Sequence, residues 1–153
     1  MMDGFGDIQD LYQQVILDHG RRPRNFRDQQ EAQKAEGFNP LCGDQVTVYV
    51  KLDDAHIGDC SFTGKGCAIC TASASMMTQW LKDKSLAEAR EMFTRFHEML
   101  TAREEPGDGV TKLGKLAAFA GVRKYPIRVK CATLPWHTLN NALDNKRETA
   151  STE

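Results

Sequence analysis

The chain carries five cysteines, Cys42, Cys60, Cys67, Cys70 and Cys131. An odd number cannot close a full disulfide framework, and in a reducing compartment separated cysteines point to metal or thiol chemistry. Three of them stand where the chain changes character. Cys42 lies in Asn39-Pro40-Leu41-Cys42-Gly43-Asp44, a turn sequence ahead of a strand, with Gly43 expected to relieve crowding around whatever Cys42 binds. Cys67 follows Gly64-Lys65-Gly66 at the start of a helix, where the dipole and free N–H groups favour a thiolate. Cys131, in Arg128-Val129-Lys130-Cys131-Ala132-Thr133, precedes a helix expected to begin near Thr133, and its cationic neighbours also lower a thiol pKa. Thiolate is the form that both coordinates metal and attacks sulfur. Three thiolates and the carboxylate of Asp44 make a tetrahedral donor set that selects zinc, an iron–sulfur cluster or copper(I) over magnesium or calcium. The spacing is not that of a zinc finger, which brings two close pairs.

Cys67-Ala68-Ile69-Cys70 has the two-residue spacing of redox and zinc motifs. Cys70 falls one helical turn on, which reads as a packed or accessory thiol. Cys60, mid-strand and on the same face as Phe62, reads as structural. His19, His56 and His97 have no ligand partners near them in sequence and read as surface or capping residues. His137 lies close to Cys131, which already has a better-placed set. The dithiol alternative, an oxidoreductase using Cys67 and Cys70, leaves Cys42 and Cys131 without a role.

The elements that must position these groups are legible from periodicity. Residues 8–19 form a helix with Ile8, Leu11, Tyr12, Val15 and Ile16 on one face, capped by Asp7 and ended by Gly20. Residues 45–52 alternate, with Val46, Val48, Val50 and Leu52 on one side, which predicts a half-buried strand. Asp53-Asp54 turns the chain, and residues 56–63 return antiparallel. A third strand is expected over 33–38. Residues 67–81 switch to helical spacing, and their Met76-Met77 pair reads as core. Ser85-Leu86-Ala87-Glu88 is a capping box that opens a helix with the stripe Leu86, Ala89, Met92, Phe93, Phe96, Met99 and Leu100. A short helix is expected over 112–120. The last helix takes Pro135 in its first turn and turns Leu134, Trp136, Leu139 and Leu143 inward. Strands do not alternate with helices, so the expected class is α+β: a small antiparallel sheet of about three strands with several helices on one face.

At 153 residues the chain is expected to be a single domain, 1–153, with a polar, flexible tail over about 146–153. Apolar residues make up 41% and charged residues 27%, as in soluble globular proteins. A net charge of -1 gives no basic field for nucleic acid. No apolar run approaches the roughly 20 residues that span a bilayer, and the acidic N-terminus has no signal-peptide core. A cytoplasmic address is expected, with neither nucleic acid nor membrane as a partner.

Taken together, several segments carry a resemblance over most of the chain: Asp18-His19 with Pro23-Arg24-Asn25; the Cys42 turn; Gly64-Lys65-Gly66-Cys67-Ala68-Ile69; Ala72-Ser73-Ala74-Ser75-Met76-Met77-Thr78; and Arg128 to Trp136. The chain resembles the U-type (IscU/NifU N-terminal-like) iron–sulfur assembly proteins, and within them the zinc-dependent SufU type. The scaffold branch has a histidine just before its third cysteine, where this chain has Lys130. The gap from Cys67 to Cys131 is also longer and holds an additional segment around 104–121, as in the SufU type. Cys70 departs from both, since the family usually has serine there.

The resemblance implies a Zn2+ ion held by Cys42, Asp44, Cys67 and Cys131, with Cys42 as the catalytic sulfur acceptor. It implies a pyridoxal-phosphate (PLP) cysteine desulfurase of the SufS type as donor and a SufBCD-type assembly complex downstream. In related proteins the desulfurase offers a group to the zinc in place of the residue matching Cys42, which frees that thiolate to attack the persulfide. Arg128 is the expected docking residue within the basic group Arg123, Lys124, Arg128 and Lys130. The activity so implied is that of a sulfurtransferase; the alternative is a scaffold on which a [2Fe-2S] cluster is assembled.

Overall fold

The alternating valines build the middle of the sheet. In a computed structural model of the chain, which describes residues 4–101, 108–145 and 149–151, strand β1 (Gln33–Asn39), β2 (Asp44–Asp53) and β3 (His56–Lys65) form an antiparallel meander. Val46, Val48 and Val50 of β2 are buried on the face that receives the helices. Asp54, at φ 56, supplies the left-handed residue that a tight β2–β3 connection needs. The expected third strand over 33–38 is β1. A fourth, β4 (Ala150–Ser151), runs parallel to β1 and pairs with Gly37 and Phe38, giving the order β3-β2-β1-β4. These two residues fall in the stretch read as a polar tail. They pair because the outer edge of β1 offers unpaired backbone groups. The neighbouring residues 146–148 and 152–153 lie outside the described part.

Helix α1 (Gly4–Arg21) runs past Gly20, the expected stop. Helix α2 (Ala68–Leu81) is the central element, packed against α1, β3 and α4 (Pro126–Leu143). Its buried residues include Ala72, Ala74, Met76, Met77 and Leu81, which confirms the methionine pair as core. Helix α3 (Leu86–Thr101) opens on half of the predicted box: Ser85 Oγ accepts the Glu88 N–H at 3.1 Å and donates its own proton to Glu88 Oε1 at 3.2 Å. Its stripe delivers Phe96 to the face of Trp136 at 5.0 Å between ring centroids. Phe119 meets Phe96 edge-on at 5.6 Å. All three rings are fully buried. Truncating such a ring to alanine costs about 3–5 kcal/mol. Phe119 comes from a 3-10 segment (Asp108–Lys124), which replaces the short helix expected over 112–120 and bends at Gly114.

The largest departure from the sequence reading is at α4. It begins at Pro126, not near Thr133, and so carries Cys131 inside its second turn. Pro126 occupies the first-turn position assigned above to Pro135, where a missing N–H costs nothing. Pro135 instead sits mid-helix and leaves the Cys131 carbonyl without its usual N–H partner. One residue on, the Ala132 carbonyl accepts a bond from the buried Ser73 hydroxyl of α2 at 2.5 Å. Leu134, Trp136, Leu139 and Leu143 do face inward.

Candidate metal centre

The three β-strand ends and two helices meet at one end of the sheet. Four residues, Pro40 to Gly43, form the loop of the β1–β2 hairpin, closed by the Gly43 N–H on the Asn39 carbonyl at 2.8 Å. Cys42 rides on this loop and is exposed. Gly43 has φ +73 with nothing within 4 Å of an added Cβ. The glycine therefore serves the left-handed backbone. The turn lets Cys42 fold back over Asp44, the first residue of β2, which is fully buried.

The donor atoms of Cys42, Asp44 and Cys131 all lie within 4.8 Å of one another. Cys131 Sγ is 3.5 Å from Cys42 Sγ. Cys67 does not place its sulfur inside this trio. It caps α2, with its Sγ accepting the Cys70 N–H at 3.5 Å, while its own N–H donates to Asp44 Oδ1 at 2.9 Å. Its exposed side chain stands at the rim of the cluster, and the backbone bond ties it to the buried carboxylate. Gly66 makes that approach possible: a Cβ there would stand 2.9 Å from Asp44 Oδ1.

Burial, then hydrogen bonding to Asp44 and Cys42, pushes the Cys131 thiol well above its ordinary range. Asp44, Cys42 and Cys67 all crowd Cys131. A divalent ion would neutralise such a set, and two sulfurs with one carboxylate fit zinc rather than a hard cation. The donor set present thus fits a thiophilic metal, with Asp44 and Cys131 as buried donors, Cys42 as the exposed one, and Cys67 at hand beside them.

Asn39 was not singled out from sequence. Fully buried, it lies with Nδ2 3.5 Å from Asp44 Oδ2 and 3.6 Å from Cys131 Sγ, while its Oδ1 accepts the Leu41 N–H at 3.1 Å. One side chain therefore shapes the Cys42 loop and orients two of the donors. The signal that could have found it is the Asn-Pro pair at a turn, because asparagine bonds its own backbone two residues on.

His19 was expected at the surface, but it is buried, with Nδ1 2.7 Å from the Ser75 hydroxyl. That hydroxyl also accepts the Arg24 N–H at 2.8 Å, so His19, Ser75 and Arg24 fasten the α1–β1 connection to α2. Burial, with Arg24 adding, holds the His19 pKa below its ordinary value. His137 faces away from the cluster, against the rings of Phe93 and His97. Cys60 and Cys70 are both buried, and burial raises both thiols.

The basic group divides. Arg123 and Lys130 line a groove of about 540 Å³ with His97, Thr133 and His137. Arg128 is exposed, with its guanidinium 4.7 Å above the Tyr125 ring. Ile127 and Arg128 precede Cys131 by four and three residues, so they share its helix face one turn away. Ile127 is 56% exposed, and Leu41, next to Cys42, is 58% exposed.

Residues 11–132 match the NifU-like N terminal domain family. The chain is 40% identical over 137 residues to the zinc-dependent sulfurtransferase SufU of Bacillus subtilis, covering 90% of this chain and 92% of that protein. It is 39% identical over 136 residues to the iron-sulfur cluster assembly scaffold protein IscU of Streptococcus pyogenes, covering 89% and 84%. Among solved structures, a putative iron-sulfur cluster assembly scaffold protein for the SUF system from Fervidobacterium islandicum superposes with a TM-score of 0.77 at 37% identity, covering 84% of this chain and 93% of that one.

Proposed function

This chain belongs to the NifU-like N terminal domain family, and on that premise we propose that it is a zinc-dependent sulfurtransferase of iron–sulfur cluster assembly, accepting sulfur from a cysteine desulfurase. The observation that carries the reading is the unequal exposure of one cluster: Asp44 and Cys131 buried, Cys42 open to a partner, all three donor atoms within 4.8 Å. Cys67 completes a four-donor set from the rim. Zinc, when bound, keeps its cysteine ligands as thiolates at neutral pH and adds no redox chemistry of its own.

Each residue then has a part. Asp44 is held by the Cys67 N–H and by Asn39, and Cys131 by its place in α4. These two stay. Cys42, on a hairpin loop, is the member that moves without unfolding anything. Its thiolate attacks the outer sulfur of the donor persulfide, forms a Cys42 persulfide, and leaves the desulfurase cysteine as a thiolate. Leu41, Tyr125, Ile127 and Arg128, exposed around Cys42 and Cys131, suit docking by a SufS-type desulfurase, with a SufBCD-type complex as the acceptor in a cytoplasmic pathway.

The scaffold reading has the Streptococcus relative's name in its favour. Against it, no histidine joins the cluster among the described residues, and Lys130 lines the neighbouring groove. The test is zinc content of the purified chain together with stimulation of a cysteine desulfurase, wild type against Cys42→Ala. Stoichiometric zinc and stimulation lost in Cys42→Ala are expected. A coloured iron cluster in place of zinc, or persulfide on Cys60 in place of Cys42, would overturn the proposal.

A further inference from the structure

Cys70 has no part in the function just described, yet it stands directly behind the cluster. Cys67 is the N-cap of α2 with extended dihedrals, φ -70 and ψ 168, and Cys70 is the third residue of the helix. The Cys70 N–H reaches the Cys67 sulfur at 3.5 Å, which draws that sulfur over the first turn of the helix. Helix geometry puts Cα atoms three residues apart at about 5 Å. A disulfide needs roughly 4.4–6.8 Å. The pair is also asymmetric in the way that dithiol exchange uses: Cys67 is exposed and can be attacked or attack, while Cys70 is 3% exposed and shielded from outside reagents.

We propose that Cys67 and Cys70 are a reversible disulfide site that reacts with low-molecular-weight disulfides, and that closing it removes Cys67 from the metal cluster. The Cys67 thiolate attacks one sulfur of the small disulfide, making a mixed disulfide and expelling one thiolate. The Cys70 thiol, giving its proton to that thiolate, attacks Cys67 Sγ and expels the second. The protein loses two electrons, and the small disulfide leaves as one thiol and one thiolate, which takes its proton from water. A disulfide sulfur is no thiolate donor, so the cluster is left with Cys42, Asp44 and Cys131. Oxidising conditions thereby shut off sulfur transfer while the buried partner guards Cys67 against irreversible oxidation. The first half of the proposal stands on the thiol geometry alone. The second rests on the zinc reading above.

The sequence makes the test clean. Trypsin cuts after Lys65 and Lys82, releasing residues 66–82 with Cys67 and Cys70 as its only cysteines. The full chain, zinc-loaded and zinc-free, is incubated with oxidised glutathione, alkylated in denaturant, digested and weighed, with zinc release followed in parallel. The expected result is a 66–82 peptide two hydrogens lighter, free of alkylation and restored by dithiothreitol, with zinc lost in step. Cys70→Ser should stop at glutathione on Cys67, with no mass loss of two hydrogens in the 66–82 peptide. A 66–82 peptide fully alkylated in both forms overturns the proposal, as does one joined to the Cys42 peptide. Zinc bound throughout with no Cys67–Cys70 bond defeats this inference and spares the zinc reading. A Cys67–Cys70 bond in a chain that never held zinc does the opposite.

Discussion

Replacing Gly66 by alanine probes the cluster through a residue that donates nothing to it. The added Cβ would stand 2.9 Å from Asp44 Oδ1, 3.4 Å from Asp44 Cγ and 3.4 Å from Cys70 Cβ. The carboxylate cannot yield outward, because Asp44 is fully buried and its Oδ1 holds the Cys67 N–H. Overpacking of this kind costs about 1–3 kcal/mol. Alanine recovers roughly 0.4–1 kcal/mol by restricting the unfolded chain. The net expectation is a destabilisation of about 1–2 kcal/mol in urea unfolding of the metal-free protein. Zinc affinity, measured by competition with a chromogenic chelator, should fall by about 10–100-fold, the range for disturbing an outer-shell contact. Gly43→Ala is the contrast. It meets no atom within 4 Å, so its cost of about 1–2 kcal/mol arises from the left-handed φ alone. If Gly66→Ala is as stable as wild type and binds zinc equally well, Asp44 is not held where the cluster requires it.

Cys60→Ala should lose about 1 kcal/mol of stability for a small buried group yet keep full zinc and full sulfur acceptance, read by persulfide labelling. Arg128→Glu should leave zinc content unchanged and raise the concentration needed for half-maximal desulfurase stimulation roughly tenfold, about 1.4 kcal/mol. An unchanged half-maximal concentration would remove the helix α4 terminus from the docking surface. His19 has a folded pKa below its ordinary 6.5, so the unfolded chain takes up the proton first. Its contribution is therefore whole above about pH 6.5 and drains away as pH falls from there toward the folded value. Urea unfolding of metal-free protein from pH 7.5 to 5.5 should show stability falling with pH, and His19→Gln should flatten that slope.

What could be read ahead of the structure was whatever repeats with a local period or a fixed motif. The β2 valines alternate because one face is buried. Ser85 caps the start of α3 because the Glu88 N–H there needs a partner. The misreadings share a cause, since each depended on a contact with a distant residue. His19 looks like a polar residue at a helix end until Ser75, 56 positions on, gives it a buried partner. Ala150 looks like tail until the free edge of β1 pairs with it. Two prolines competed for one role at α4, and local rules favoured the one nearer the apolar stripe. The buried setting of α4 let the helix run through Pro135 instead.

The same distinction explains the cluster. Residue types and their turn or helix-start contexts pointed to Cys42, Asp44, Cys67 and Cys131, but α4's true start changes why Cys131 is there. It is not a thiol beside a helix start with free N–H groups to hold its charge. It is buried within the second turn, crowded by Asp44 and Cys42, with the Asn39 Nδ2 3.6 Å from its sulfur. Burial raises the Cys131 thiol, whereas Cys67, at the α2 cap, and Cys42, on the hairpin loop, are exposed. On the proposed reading, Cys42 leaves the site more readily than buried Asp44 and Cys131, while Cys67, also exposed, is tied by its own N–H to Asp44. That is the order a carrier needs if the residue that leaves the metal is to be the residue that takes the sulfur.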